Sequence, residues 1–198
     1  MTPYEIIAVP LELWVAPVGT TFPLIDAAPG VGWTKLGTSG RMNYFEDGVT
    51  VSLPQTLEAW RSAGHTGPRK FFRTEEDLMI SVKLADMTLE NFSIAMNYNA
   101  VTDTPAGGEA GFRKIGLSRG FTVNERALLA RGPSPYDEAL YMQFQIWKAV
   151  SDGSPEMAFT KGGEPAGYEI NFKAGIDPTK AEDEAFGILI ACDAVAIS

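Results

Sequence analysis

A chain of 198 residues with 45% hydrophobic and 21% charged side chains is long enough to bury a core and has a globular composition, which excludes disordered and collagen-like classes. Its 16 basic and 25 acidic residues leave a formal charge of -9, which opposes wrapping or gripping of nucleic acid, because such binding needs Lys and Arg to displace counterions from phosphate. The single cysteine, Cys192, excludes an internal disulfide framework, and with the single histidine, His65, it supplies too few ligands for the usual zinc sites.

Read from the start, Met1 to Gly19 carries Glu5 and Glu12 without a basic stretch, unlike a secretion signal, and no run approaches the roughly 20 apolar residues of a membrane span. The chain is therefore expected to carry no membrane anchor. Leu11 to Val15 and Val49 to Leu53 are candidate strands. From Pro54 to Glu75 no period is visible, so a long loop is expected at about 54–75, functional or hiding a short helix, as the Leu57 and Trp60 spacing allows. Leu78, Ile80, Val82 and Leu84 then alternate with Met79, Ser81, Lys83 and Ala85, the pattern of a half-buried strand. Leu89, Phe92 and Met96 recur at helical spacing behind Thr88 as a cap and Glu90 near the positive dipole end, which predicts one flanking α-helix over about 88–97, stopped by Asn97 and Asn99.

Beyond the helix, Val101 to Gly111 and Gly132 to Asp137 read as loops, punctuated by Gly and Pro. Leu140, Met142, Phe144 and Ile146 alternate with Tyr141, Gln143, Gln145 and Trp147, giving a long strand whose second face is amphipathic. Tyr168, Ile170, Phe172 and Ala174 alternate with Glu169, Asn171, Lys173 and Gly175, and Phe186 to Ala191 closes the series, with Cys192 expected as a small buried apolar residue of that run. The reading is a mainly β chain, a single domain over 1–198 without internal repeats.

No constellation marks chemistry. A Ser-His-Asp or Cys-His arrangement would have to use His65, which sits among Gly64, Gly67 and Pro68 where geometry is poorly held. Pro105 to Gly111 lacks the Gly-Lys-Ser/Thr ending of a phosphate loop. The runs Glu75-Glu76-Asp77 and Glu182-Asp183-Glu184 lack the alternating ligand spacing of a calcium loop and read as solvated edges. No catalytic residue, cofactor site or metal site is expected. Trp14, Trp33, Trp60 and Trp147 raise a carbohydrate-binding module as one alternative, since flat aromatic faces stack on sugars.

The order of features from Gly30 to Asn99 carries a resemblance. It runs from Gly32-Trp33-Thr34-Lys35-Leu36-Gly37 through Gly48-Val49-Thr50-Val51-Ser52-Leu53 and a long segment with Gly67-Pro68-Arg69-Lys70. It closes on the strand of Leu78 to Leu84, the acidic Asp86 and the helix start Thr88-Leu89-Glu90-Asn91. This order resembles the major tail tube proteins of long-tailed, siphovirus-type bacteriophages. The resemblance implies a β-sandwich or β-barrel of the tail tube type with one flanking helix. It further implies six copies in a ring, rings stacked into a hollow tube, and DNA passing through the lumen without specific binding. Location in the virion after assembly in host cytoplasm follows, with tape measure, tail terminator and distal tail proteins as partners. Another virion β-protein, a head decoration or tail-completion subunit, is the alternative within the same setting.

Two sets of residues are singled out on that basis. Leu57, Trp60, Arg61, Arg69, Lys70, Phe71, Phe72 and Arg73 mix aromatic and cationic side chains, the usual anchors of protein contacts, and are the candidates for contact between successive rings. Glu169 and Asp193, on polar faces of predicted strands, are the lumen candidates, where the net negative charge predicts an acidic wall that lets DNA slide.

Overall fold

The structure, a computed structural model, describes residues 7, 9–137 and 139–194. These form β1 (Glu12–Pro17), β2 (Thr34–Lys35), β3 (Tyr44–Ser52), β4 (Gln55–Trp60), β5 (Lys70–Glu76), β6 (Met79–Leu84), α1 (Leu89–Ala95), β7 (Val101–Thr104), β8 (Phe112–Ile115), β9 (Arg126–Pro133), β10 (Tyr141–Ser151), β11 (Tyr168–Ala174) and β12 (Gly187–Ala191). Eight strands make one antiparallel sheet in the order β2-β1-β9-β10-β11-β6-β3, with β12 also on β10. Two hairpins, β4-β5 and β7-β8, stand apart from it.

Alternation decides which side chains go inside. Ile80, Val82 and Leu84 of β6 face the core together with Tyr168, Ile170, Phe172 and Ala174 of β11, and all are buried. β1, β9 and β10 contribute Leu13, Val15, Leu128, Ala130, Ile146 and Ala149 to the same core, and α1 lays Phe92 and Ile94 into it. The helix lies where its spacing predicts and packs Phe92 edge-on against Tyr168, ring centroids 5.5 Å apart. Each such buried aromatic or aliphatic side chain contributes about 1.5–3 kcal/mol by leaving water.

The sheet curls so that both wings share this core, but it does not close into a barrel. Strand β10 accounts for the curl: its first half pairs with β9 on one edge and β12 on the other, while its end, past a bulge between Ile146 and Ala149, pairs with β11. Across the opening, the Tyr44 hydroxyl accepts from the Leu13 N–H and donates to the Leu36 carbonyl, both at 3.1 Å. A side chain thus joins the two wings where a strand ladder would close a barrel, and burial pushes this phenol up to about 12.

The outer face of β1, β9 and β10 is covered as well. Trp33, Ala16, Ala127 and Leu129 form a second apolar cluster beneath the segment 18–33, and Phe22 meets the rings of Trp33 and Trp147 at 4.9 and 5.3 Å. Arg131 pins that segment. Its guanidinium donates to the Gln143 side-chain oxygen and to the carbonyls of Ala27 and Leu24, while the Gln143 amide donates to the Pro23 carbonyl. Gln143 is fully buried and Gln145 nearly so. The amphipathic second face read for this strand is thus covered, and the Gln143 amide is stable in burial because both its oxygen and its nitrogen are hydrogen-bonded.

The long loop expected at 54–75 is also corrected, for it is the β4-β5 hairpin. Both of its faces are exposed, so no alternation marks it. Val101 to Gly111 belongs largely to the β7-β8 hairpin for the same reason. The turn at Gly37 and the helix start at Thr88, more than fifty residues apart, meet in one polar hub. Asp86 accepts from the Thr38 N–H and hydroxyl, from the Thr88 N–H and from the Asn91 amide, and the Asn91 oxygen accepts from Gly37 N–H. Gly37 has φ +75 and its missing Cβ would lie 3.0 Å from the Gly40 carbonyl oxygen, so glycine is required there. Thr88 occupies the cap position but its hydroxyl accepts from the Asn91 amide instead of a helix N–H.

A side chain at Gly187 would be destructive. Its Cβ would lie 2.2 Å from the Gln145 carbonyl oxygen and 3.0 Å from Ile146 Cα, both backbone atoms of β10. Gly187→Ala is expected to cost ~2–3 kcal/mol in denaturant unfolding, with loss of hydrogen-exchange protection along β12. Gly64→Ala, where nothing lies within 4 Å of the added carbon, should stay within ~0.5 kcal/mol of the parent.

Candidate assembly surface

Among the described residues, hairpin β4-β5 hydrogen-bonds to no strand outside itself, and every residue of both strands is exposed. Pairing of Glu58 with Phe72 and of Trp60 with Lys70 puts these four on one face, and the pairs Leu57 with Arg73 and Ala59 with Phe71 make the other. The large apolar groups of both faces are bare: Leu57 at 51%, Trp60 at 52%, Phe71 at 59% and Phe72 at 47% exposure. A two-stranded ribbon is marginal in water by itself, and aromatic groups displayed on both sides lose their hydrophobic stabilisation until something covers them.

All eight ring-contact candidates thus lie on one projecting ribbon or at its turn. From Ala59 to Thr74 the chain carries Arg61, Arg69, Lys70 and Arg73 and no acidic residue. Arg73, at the root, is held by Glu76 at 3.0 Å and by the Gln55 side chain. Among the described residues Arg61, Arg69 and Lys70 have no carboxylate partner, and Lys70 lies 5.0 Å from the Phe72 ring centre.

The lumen candidates are placed separately. Glu169 is exposed on β11 opposite Lys83 of β6, and Lys83 in turn pairs with Glu164 at 3.1 Å and covers the Phe45 ring. Lys173 on the same strand pairs with Asp77 at 3.0 Å. The outward side of β11 and β6 is therefore of mixed charge. Asp193 is exposed beyond the end of β12, and no ion pair or side-chain hydrogen bond among the described residues links it to Glu169. Cys192 beside it is only half-buried, not buried as the sequence reading expects, because it lies past the end of β12, with its thiol 3.1 Å from the Ala194 carbonyl.

Two further features escape a reading of the sequence. Strand β12 pairs with β10 alone among the described residues, carries no charge along Gly187 to Ala191, and exposes Leu189. Strand β3, at the far edge, is instead bulged between Tyr44 and Val49 and carries Glu46 and Asp47. Bulges and charges protect an edge against pairing with another chain, so β12 is the unprotected one. The loop Leu117–Val123 also presents bare Leu117, Phe121 and Val123. It is held stiffly: Asn97 donates to the carbonyls of Arg119 and Thr122, and Asn99 to those of Gly116 and Ser118. The only signal in the sequence is the pair of asparagines itself, read as a helix stop, and Asn97 does leave the helix at φ 57.

Among the described residues no three His, Cys, Asp or Glu side chains converge in a metal-holding arrangement, and no helix is long and apolar enough to cross a membrane. No protein-family model matches the chain, and no curated protein matches it at a significant level.

Proposed function

We propose that the chain is a self-assembling structural subunit of the phage tail tube type, whose copies form six-membered rings that stack into a hollow conduit for DNA. The observation that carries this reading is the projecting β4-β5 ribbon, with Leu57, Trp60, Phe71 and Phe72 bare on its two faces and Arg61, Arg69 and Lys70 without a carboxylate partner among the described residues. A ribbon of this kind adds nothing to its own core. Its aromatic and Arg side chains match the composition of protein contacts, and they are displayed where a neighbouring copy meets them first.

The unprotected β12 edge supports the ring itself. Strand addition between neighbours satisfies the free backbone groups and continues one sheet into the next. Contact between rings is head to tail, and a heterologous contact of that kind extends into an open filament. The order of motifs from Gly32-Trp33 to Thr88-Leu89-Glu90-Asn91 supports the specific tube reading, and with it a location in the virion.

Electron microscopy of purified protein at rising concentration tests it. Hollow tubes or stacked rings with six-fold symmetry are the expected result. A protein that stays monomeric at every concentration, or closes into compact particles of another symmetry, overturns the proposal.

A further inference from the structure

The cations at the ribbon's turn have a counterpart on the same chain, at the ribbon's root. There a cleft of about 920 Å3 lies between β5 and the segment that follows β11, with Glu75, Asp77, Asp177, Glu182, Ile176 and Phe186 among its walls. A neighbouring cleft of about 670 Å3 shares Arg73, Glu76, Glu182 and Phe186 with it and adds Asp183 and the bare Leu53. The cations of this region are already engaged: Arg73 by Glu76, Lys173 by Asp77, and Lys180 over the Trp147 ring at 4.1 Å. Glu182 and Asp183 are exposed and have no cationic partner among the described residues.

Acidic groups with apolar walls at one end of the ribbon, and cations with aromatic groups at the other, are complementary in charge and in chemistry. They cannot meet within one molecule. Six residues of β4 rise about 20 Å at roughly 3.3 Å each, so a hairpin's turn is held away from its own root by its own length. The partner that satisfies both ends is a second copy of this chain.

We infer that the turn of the β4-β5 hairpin of one subunit docks in the acidic cleft at the hairpin root of the next, with Arg69 and Lys70 meeting Glu182 and Asp183. The inference rests on the reading that the chain assembles with itself, and it names the surface that receives the ribbon. Because donor and receiver are different surfaces, every docked subunit leaves one of each free, and growth continues in one direction. Trp60 and Phe72, on the same face as Lys70, would then be covered by the apolar wall from Leu53 to Phe186.

Charge exchange tests the pairing. Arg69→Glu with Lys70→Glu, and separately Glu182→Lys with Asp183→Lys, alter exposed side chains only. Each pair should raise the concentration needed for assembly by about tenfold or more, and a chain carrying all four changes should return to near the parent value. Thermal unfolding of each variant checks that it is folded. An independent measurement uses the unaltered protein: carbodiimide treatment of mixed 14N and 15N chains should join Lys70 to Glu182 or Asp183 between copies, as seen by mass spectrometry.

Assembly of the parent with no effect of either pair overturns the pairing and leaves self-assembly standing. So does loss of assembly without rescue in the four-fold variant, when the cross-link is also absent. A parent that never assembles overturns both readings.

Discussion

Replacing Trp60 and Phe72 together by serine will leave a folded subunit that no longer assembles. Both side chains lie on one face of the β4-β5 ribbon, about half exposed, and neither belongs to an apolar cluster of the subunit. Their removal takes nothing from the core, so the unfolding midpoint should move by no more than surface substitutions usually move it, ~0.5 kcal/mol in stability. Anchoring aromatics in a protein contact each contribute about 2 kcal/mol or more, and losing two should raise the concentration needed for assembly ~1,000-fold or beyond. Sedimentation velocity across a concentration series, beside circular dichroism of the same samples, reads both quantities. Loss of native circular dichroism would show that the aromatics support the fold, and unchanged assembly would show that this face of the ribbon makes no contact.

Asp86→Ala should be among the most damaging single substitutions in the body of the subunit. The carboxylate is buried and accepts from the Thr38 N–H and hydroxyl, the Thr88 N–H and the Asn91 amide. Alanine leaves these donors facing a gap, and the loop at Gly37 and Thr38 keeps only the Gly37 N–H bond to Asn91 as its tie to the start of α1. A loss of ~3 kcal/mol is expected, from the larger contribution of hydrogen bonds to a charged group and the cost of stranding their donors. Chemical denaturation measures it.

The same residue sets an acid limb. Burial raises its pKa, but the hydrogen bonds from Thr38 and Thr88 outweigh that and hold the carboxyl below the ordinary aspartate value. The unfolded chain therefore binds this proton more readily. The contribution of Asp86 is fully present above the unfolded value near ~3.9 and is lost as pH falls through the lower folded value. Stability of the parent should fall with acidification through that window, and Asp86→Asn should flatten that part of the curve while starting from a lower plateau. An identical acid slope in both proteins would show that other carboxylates govern it.

The residues from Trp33 to Gly37 and from Asp86 to Asn91 are tied together through this hub. Trp33 is buried in the outer cluster, Leu36 in the main core, and Gly37 makes the turn whose N–H reaches Asn91. Spacings that look degenerate along the chain are fixed in space, because each residue in them has a different burial or hydrogen-bonding task. The ribbon between these two stretches has no such task among the described residues, and it is the part proposed for assembly.

What the sequence by itself determined was the mainly β class, the helix and the strands with one wet and one dry face. Leu78 to Leu84 and Tyr168 to Ala174 show their burial as a period of two, and Leu89 to Met96 shows it as helical spacing, because each packs against the core on a single side. β9 carries no such signal. Leu128 and Ala130 face the main core while Ala127, Leu129 and Arg131 lie under the segment 18–33, so its residues are buried on both sides and no alternation remains. β4 and β5 are silent for the opposite reason, being exposed on both sides. The candidate contact residues were legible as residue types, through their aromatic and cationic mixture, but their shared ribbon, the bare β12 edge and the acidic cleft at the hairpin root were decided by tertiary structure. Periodicity records contrast between two environments of one segment, whereas a surface is assembled from segments distant in sequence, and only the paired backbone determines which of them become neighbours.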